Sequence, residues 1–97
     1  MPTHEEEPLF AREFASLTTA QKARFQDGVR KMVNAITASQ PFRPGLRVKG
    51  VQGHAGVFEM TWAPDGRATF QYGPEQIPGE KRIIWRRIGG HETLQNP

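Results

Sequence analysis

Six side chains from residue 47 onward can act on a polyanion: Arg47 and Lys49 ahead of a strand-like stretch, Arg67 after a Pro-Asp-Gly turn, then Arg86, Arg87 and His91. Guanidinium and ammonium groups supply positive charge where a phosphorane gathers negative charge. An imidazole with a pKa near ~6.5 can take up or release a proton at neutral pH. These are the parts needed to cut RNA without a metal, because the 2′-hydroxyl of RNA can attack the adjacent phosphorus once a base, cations and an acid are in place. DNA lacks that hydroxyl and would survive. Singly, each residue has a plainer account, since Arg67 beside a turn and Lys81-Arg82 at a strand start are what a solvated sheet edge carries.

Other chemistries fit the residues less well. His91-Glu92-Thr93-Leu94-Gln95 begins like HExxH but ends in Gln95, so the second ligand at i+4 is missing and no metal site is expected. His4 sits near the start of the chain and His54 in a Gly-rich loop, where a solvated residue is the ordinary reading. With no cysteine there is no thiol chemistry or disulfide framework. The only serines are Ser16 and Ser39, neither in a nucleophile elbow, and no Walker-type loop or other cofactor-binding motif is present. Gly50-Val51-Gln52-Gly53 has the spacing of a GxxG phosphate clamp, but strand-like rather than helical residues flank it, which favours a flexible turn.

The elements that must position the cations are legible from periodicity. Leu9, Phe10, Phe14 and Leu17 form a short helical stripe over residues 8 to 17. Thr18 with Gln21 three residues later is a capping box and opens a second helix, whose Phe25, Val29, Met32, Val33 and Ile36 share one face. Gly28 costs that helix ~1 kcal/mol relative to Ala, so it should serve close packing. Pro41, Pro44 and Gly45 end the helical region. The period then becomes 2: Val57, Glu59 and Thr61 alternate with Phe58, Met60 and Trp62, and Arg67, Thr69 and Gln71 with Ala68, Phe70 and Tyr72. Between them, Ala63-Pro64-Asp65-Gly66 reads as a hairpin turn with Pro64 at the first corner and Gly66 at a positive φ. Lys81 to Ile88, apolar on both faces, reads as an interior strand, and Leu46 to Val51 supplies a fourth. The expected architecture is α+β, with two N-terminal helices packed on a mainly antiparallel four-stranded sheet.

At 97 residues the chain has room for a single domain, residues 1–97, with 1–7 expected as a disordered tail. No apolar run exceeds three residues, so neither a membrane span nor a signal peptide is expected and the chain reads as cytoplasmic. The net charge of +3 understates its basicity: with Glu5, Glu6 and Glu7 set aside, 13 Lys and Arg face 7 Asp and Glu. Between residues 22 and 49, seven cations face only Asp27. Such an excess favours either nucleic acid or an acidic segment of a partner protein.

In order, two N-terminal helices, the basic RPGLRVKGVQG (Arg43 to Gly53), the hairpin VFEMTWAPDGRATFQYG (Val57 to Gly73) and the closing RIIWRRIGGHETL (Arg82 to Leu94) resemble the RelE/ParE superfamily of type II toxin–antitoxin toxins. The likeness covers about residues 9 to 94 and is nearest the YafQ-like branch, whose last strand ends in an Arg-x-Gly-x-His-x-x-Leu pattern matched by Arg87, Gly89, His91 and Leu94. It implies a ribosome-dependent mRNA endonuclease that needs no cofactor or metal and is neutralised by a cognate antitoxin. Carried over by position, His91 would be general acid or base, Arg67 and Arg87 would stabilise the phosphorane, and Lys49 would act beside them. Arg43, Arg47, Lys49 and Arg86 would hold the RNA. The chain departs from that branch in having Arg47 or Lys49 and Trp62 where histidines stand, and Gln95 where an aromatic often follows the Leu; Trp62 reads as a core residue. Two other readings stand beside the nuclease: a gyrase-poisoning toxin of the ParE kind, and a basic binding module without catalysis.

Overall fold

In the computed structural model, which describes residues 2–97, two helices lie on one face of a five-stranded sheet. Helix α1 spans Pro8–Ala15, with the proline in its first turn where no amide hydrogen is needed. Helix α2 spans Thr19–Thr37. Its capping box forms as the sequence predicts: the Gln21 amide donates to Thr18 Oγ1 at 3.1 Å, and the Thr18 amide donates to Gln21 Oε1 at 2.8 Å. Ser39, in the left-handed region at φ 52°, stops the helix.

The strands are β1 (Thr3–Glu6), β2 (Lys49–Gly50), β3 (Val57–Thr61), β4 (Arg67–Gly73) and β5 (Arg82–Gly89), in the order β1-β5-β4-β3-β2. Pairing is antiparallel except between β1 and β5. Strand β5 is therefore interior, as its two apolar faces require. Two expectations need correction here. The sheet has five strands rather than four, and residues 3–6 are its edge strand rather than a disordered tail. The Thr3 amide donates to Lys81 O and the Glu7 amide to Trp85 O, both at 2.9 Å. Arg82 fastens the strand further, with Nε on Glu5 Oε1 at 3.1 Å and Nη1 on Thr3 Oγ1 at 3.2 Å. Backbone pairing and ion pairing hold β1, so its sequence carries no apolar alternation.

The core lies between helices and sheet. Phe10 and Phe25 meet Trp85 with ring centroids 5.7 and 5.1 Å apart, and Trp85 meets Phe70 at 5.4 Å. Met32 and Met60 are fully buried beside them. A Cβ on Gly28 would sit 3.3 Å from Met60 Cε, so this glycine does serve close helix–sheet packing.

The hairpin turn closes with the Gly66 amide on Ala63 O at 3.0 Å, which puts Pro64 at the first corner as read. Gly66, however, does not have a positive φ. It is glycine for space: a Cβ there would lie 2.6 Å from two ring atoms of Trp62. The register between β4 and β5 shifts between Thr69 and Phe70: Thr69 pairs with Arg87 and Phe70 with Trp85, leaving Arg86 as a bulge residue. The bulge lets Ile83, Trp85 and Ile88 all be buried while two consecutive arginines serve the other side of β5. Among the described residues, no helix is long and apolar enough to cross a membrane.

Candidate nucleic-acid interface

Arg67 opens β4 and pairs with Thr61 on one side and Gly89 on the other. It is buried, and its Nη1 donates to Gly66 O at 2.9 Å and to Ala63 O and Pro64 O at 3.4 Å. Arg67 thus caps the hairpin turn with one nitrogen, while its Nε and Nη2 bond nothing else among the described residues. Arg47 follows the 3₁₀ turn Pro44–Leu46 in a left-handed conformation at φ 47°, its amide on Pro44 O at 3.1 Å. That geometry brings Arg47 into one cleft of about 310 Å³ with Arg67, Thr61 and Pro64. A neighbouring cleft of about 260 Å³, which shares Gly45 and Thr61 with it, holds Arg43 with Arg24, Lys31 and Asp27. Lys31 and Arg30 each contact Asp27 at 3.0 Å. The hydrogen bond and charge of Lys31, followed by the charges of Arg30 and Arg43, hold the Asp27 carboxyl below the usual range.

His91 stands at the same end of the sheet, two residues beyond Gly89, and is exposed at the start of the 3₁₀ segment His91–Gln95. The preceding Gly90 packs against the hairpin turn: a Cβ on it would fall 2.8 Å from Asp65 Oδ2. Glu92 accepts from the Gly90 amide at 3.1 Å. Its carboxyl is held low by backbone amides of Glu92 and Gly90, and then by the charges of Arg87 and His91.

On the helix-free face, one row across the sheet reads Lys49, Glu59, Thr69, Arg87. Lys49 Nζ lies 4.0 Å from Glu59 Oε1 at the exposed margin. Arg87 is clasped by Glu13 of α1, with Nη2 on Oε2 at 2.7 Å and Nε on Oε1 at 3.1 Å. Hydrogen bonding to Glu13 is the main reason the Arg87 guanidinium is held above its ordinary range. Arg86 donates through Nε to Pro97 O at 2.9 Å and through Nη1 to Gln71 Oε1. Arg86 and Arg87 line a third cleft of about 290 Å³ together with His54 and Pro97.

The structure therefore brings Arg47 and Arg67 together, with Arg43 next to them, and brings Arg86 and Arg87 together elsewhere. His91 and Lys49 line none of these three clefts, although His91 is near the first by register. Among the described residues, no three His, Cys, Asp or Glu side chains are grouped to hold a metal ion. Two residues of interest were not singled out from the sequence. Glu59 is a nearly buried carboxylate between Lys49 and Thr69, and Glu13 positions Arg87. His54 lies in the Gly-rich connection as expected: its amide donates to Val51 O and its carbonyl accepts from the Val57 amide, both at 3.1 Å, so the connection is a closed turn. Only Glu59 carried a sequence signal, as a charge inside an alternating strand.

No family model matches this sequence, and no curated protein matches it. Solved structures do match. A YoeB/ParE toxin from Agrobacterium tumefaciens superposes with a TM-score of 0.67 at 14% identity, covering 92% of this chain and 98% of that one. The E. coli DinJ-YafQ toxin-antitoxin complex gives 0.62 at 12% identity, covering 96% of each chain. The RelB-RelE antitoxin-toxin complex from Methanococcus jannaschii gives 0.60 at 11% identity, covering 94% of each. The chain thus has an α+β fold of the kind these toxins adopt. In particular, it is the RelE/ParE fold, over nearly the whole length of the chain.

Proposed function

We propose that this chain is the toxin of a type II toxin–antitoxin pair and that it acts in the cytoplasm as a ribosome-dependent mRNA endonuclease. One observation carries the reading: in a fold shared with toxins, Arg47 and Arg67 come from different elements into one cleft at the end of the sheet where His91 emerges. The Nε and Nη2 donors of Arg67 and the guanidinium of Arg47 would receive the equatorial oxygens of the phosphorane. His91 would move the proton of the 2′-hydroxyl or of the departing 5′-oxygen. Arg43 and Lys49 would hold the flanking backbone, with Arg86 and Arg87 further along the face. A cognate antitoxin, like those in the two neighbouring complexes, would neutralise the toxin by covering this basic surface.

Primer extension on mRNA from a translation extract tests the reading. The parent protein should create new 5′ ends, and Arg67→Ala and His91→Ala should reduce them by about 10²-fold or more. Intact mRNA in the presence of folded parent protein would remove the nuclease.

A specific feature favours a second reading, a ParE-like gyrase poison: Arg87 is paired with Glu13 and Asn96, and Arg86 bonds Gln71 and Pro97, which leaves these two guanidiniums fewer donors for RNA. That reading expects stalled replication, intact mRNA and toxicity indifferent to His91→Ala. Harmless expression without any partner would point instead to a binding module.

A further inference from the structure

The helices leave one margin of the sheet uncovered on their own side. Between α2 and β1 lies a cleft of about 240 Å³, walled by Phe14, Val29 and Val33 of the helices and floored by Ile83 and Trp85 of β5. Phe14, Val29 and Val33 are only half-buried, so apolar surface faces the opening. Register sets His4 beside Ile83 and Glu6 beside Trp85, which places both side chains on the cleft side of the sheet as its outer lip.

The backbone of β1 is unfinished along the same line. Thr3 and Glu7 turn their amides to β5, at Lys81 O and Trp85 O, so the alternation of the strand turns the amides and carbonyls of His4 and Glu6 outward. Among the described residues no strand lies beyond β1. The three glutamates here also differ. Glu5 pairs with Arg82 at 3.1 Å and Glu7 lies 4.0 Å from Arg86, whereas the Glu6 side chain has no ion pair or hydrogen bond among the described residues.

We propose that β1 and this cleft together receive an extended segment of a partner protein, added as a sixth strand, with an aliphatic side chain for the cleft and, two residues away on the same face, a Lys or Arg for Glu6. The outward amides and carbonyls of His4 and Glu6 supply the backbone bonds, and the spacing of the lip sets the spacing of the two side chains. The charge of the lip selects the class of segment. An acidic stretch suits the arginine clefts at the end of the sheet and is repelled here, while a basic and apolar stretch suits this margin and is repelled there. The surface is thus a second docking place of opposite preference, and it stands whether or not the chain cuts RNA.

The test uses the full isotope-labelled chain and three short synthetic peptides with blocked ends. One carries Val and Lys two residues apart among threonines, the second has Glu in place of Lys, and the third is the first with N-methyl groups on the amides that would pair. NMR should show saturable shifts of the His4 and Glu6 amides and of the Val29 and Val33 methyls with the first peptide, and slower exchange of the two amides. The second and third peptides should each bind roughly tenfold more weakly. Glu6→Lys, at an exposed side chain that supports nothing else, should reverse the preference between the first two. Absence of a saturable shift with the first peptide overturns the docking site. Equal binding of the N-methylated peptide overturns strand addition, and an unchanged preference in Glu6→Lys overturns the charge selection. Shifts of the same signals on concentrating the protein alone, with a rise in sedimentation coefficient, would assign the margin to a second copy and overturn the basic partner.

Discussion

The Glu13–Arg87 contact should be the largest single electrostatic contribution to the stability of the fold. Two nearly parallel hydrogen bonds join side chains that are each 22% exposed, and Glu13 Oε1 also receives the Ile88 amide at 3.4 Å. An exposed pair is worth ~0–1 kcal/mol, whereas a hydrogen bond to a charged group away from solvent is worth ~1.5–3 kcal/mol. A mostly shielded, two-point pair falls between them, at about 2 kcal/mol. Glu13→Ala removes that amount and leaves the Ile88 amide without its acceptor beyond the end of β1. For a domain of this size, 1 kcal/mol moves the melting midpoint by ~4–8 °C, so Tm should fall by roughly 10 °C. Glu13→Gln keeps one carbonyl acceptor and should lose about half as much. Urea unfolding of Glu13→Ala, Arg87→Ala and the double variant gives the coupling directly, with an expected value of ~1–2 kcal/mol. A coupling under ~0.5 kcal/mol, or an unchanged Glu13→Ala midpoint, would show that Arg87 is held by Asn96 and the sheet and that the carboxylate matters little.

Other outcomes follow from the same contacts. The carboxyl groups of Asp27 and Glu92 are both held low in the folded chain, so the stability they contribute is present above the ordinary carboxylate range and is lost as pH falls through their depressed values. Asp27→Asn and Glu92→Gln should each flatten the acid limb of a urea-midpoint-against-pH curve while leaving neutral pH nearly unchanged; a steeper limb would contradict the assignment. Gly66→Ala must push the Trp62 ring out of contact and should cost ~1–3 kcal/mol, read as a shift in Tm. Trp85→Ala removes the ring on which Phe10, Phe25 and Phe70 converge and should cost ~3–5 kcal/mol, measured by loss of cooperative unfolding. Arg67→Lys should lose stability as well as any RNA cleavage, because a lysine cannot both cap the Ala63–Gly66 turn and present free donors to the cleft.

Local chemistry was legible in the sequence wherever the local signal was strong. The Thr18 and Gln21 pair marked the start of α2, the alternation around Pro64 marked the hairpin, and the two apolar faces of residues 83–88 marked an interior strand. What depended on distant partners was not legible. Strand β1 exists because β5, some eighty residues away in sequence, offers a parallel edge, and Thr3-His4-Glu5-Glu6 by itself has no strand pattern. The bulge at Arg86 breaks the period-2 reading, so two consecutive arginines serve one side of the strand. Arg67 and Thr69 read as outward-facing and indeed point away from the helices. They are nonetheless buried, because the hairpin turn and the C-terminal residues cover that face. The cations were recognised as a set, but their division among three clefts depended on the left-handed turn at Arg47 and on the reach of Glu13, neither of which is written in residue spacing.

The margin of the sheet formed by β1 also bears on how the molecules behave toward one another. An open strand edge invites a neighbouring chain to continue the ladder, and this one displays Glu5 and Glu6 along its short length. Where β1 stops, Glu13 receives the next available amide, at Ile88. Two copies approaching by this side would bring like charges together before any backbone bond could form, so a concentrated solution of the protein should resist growing into ribbons.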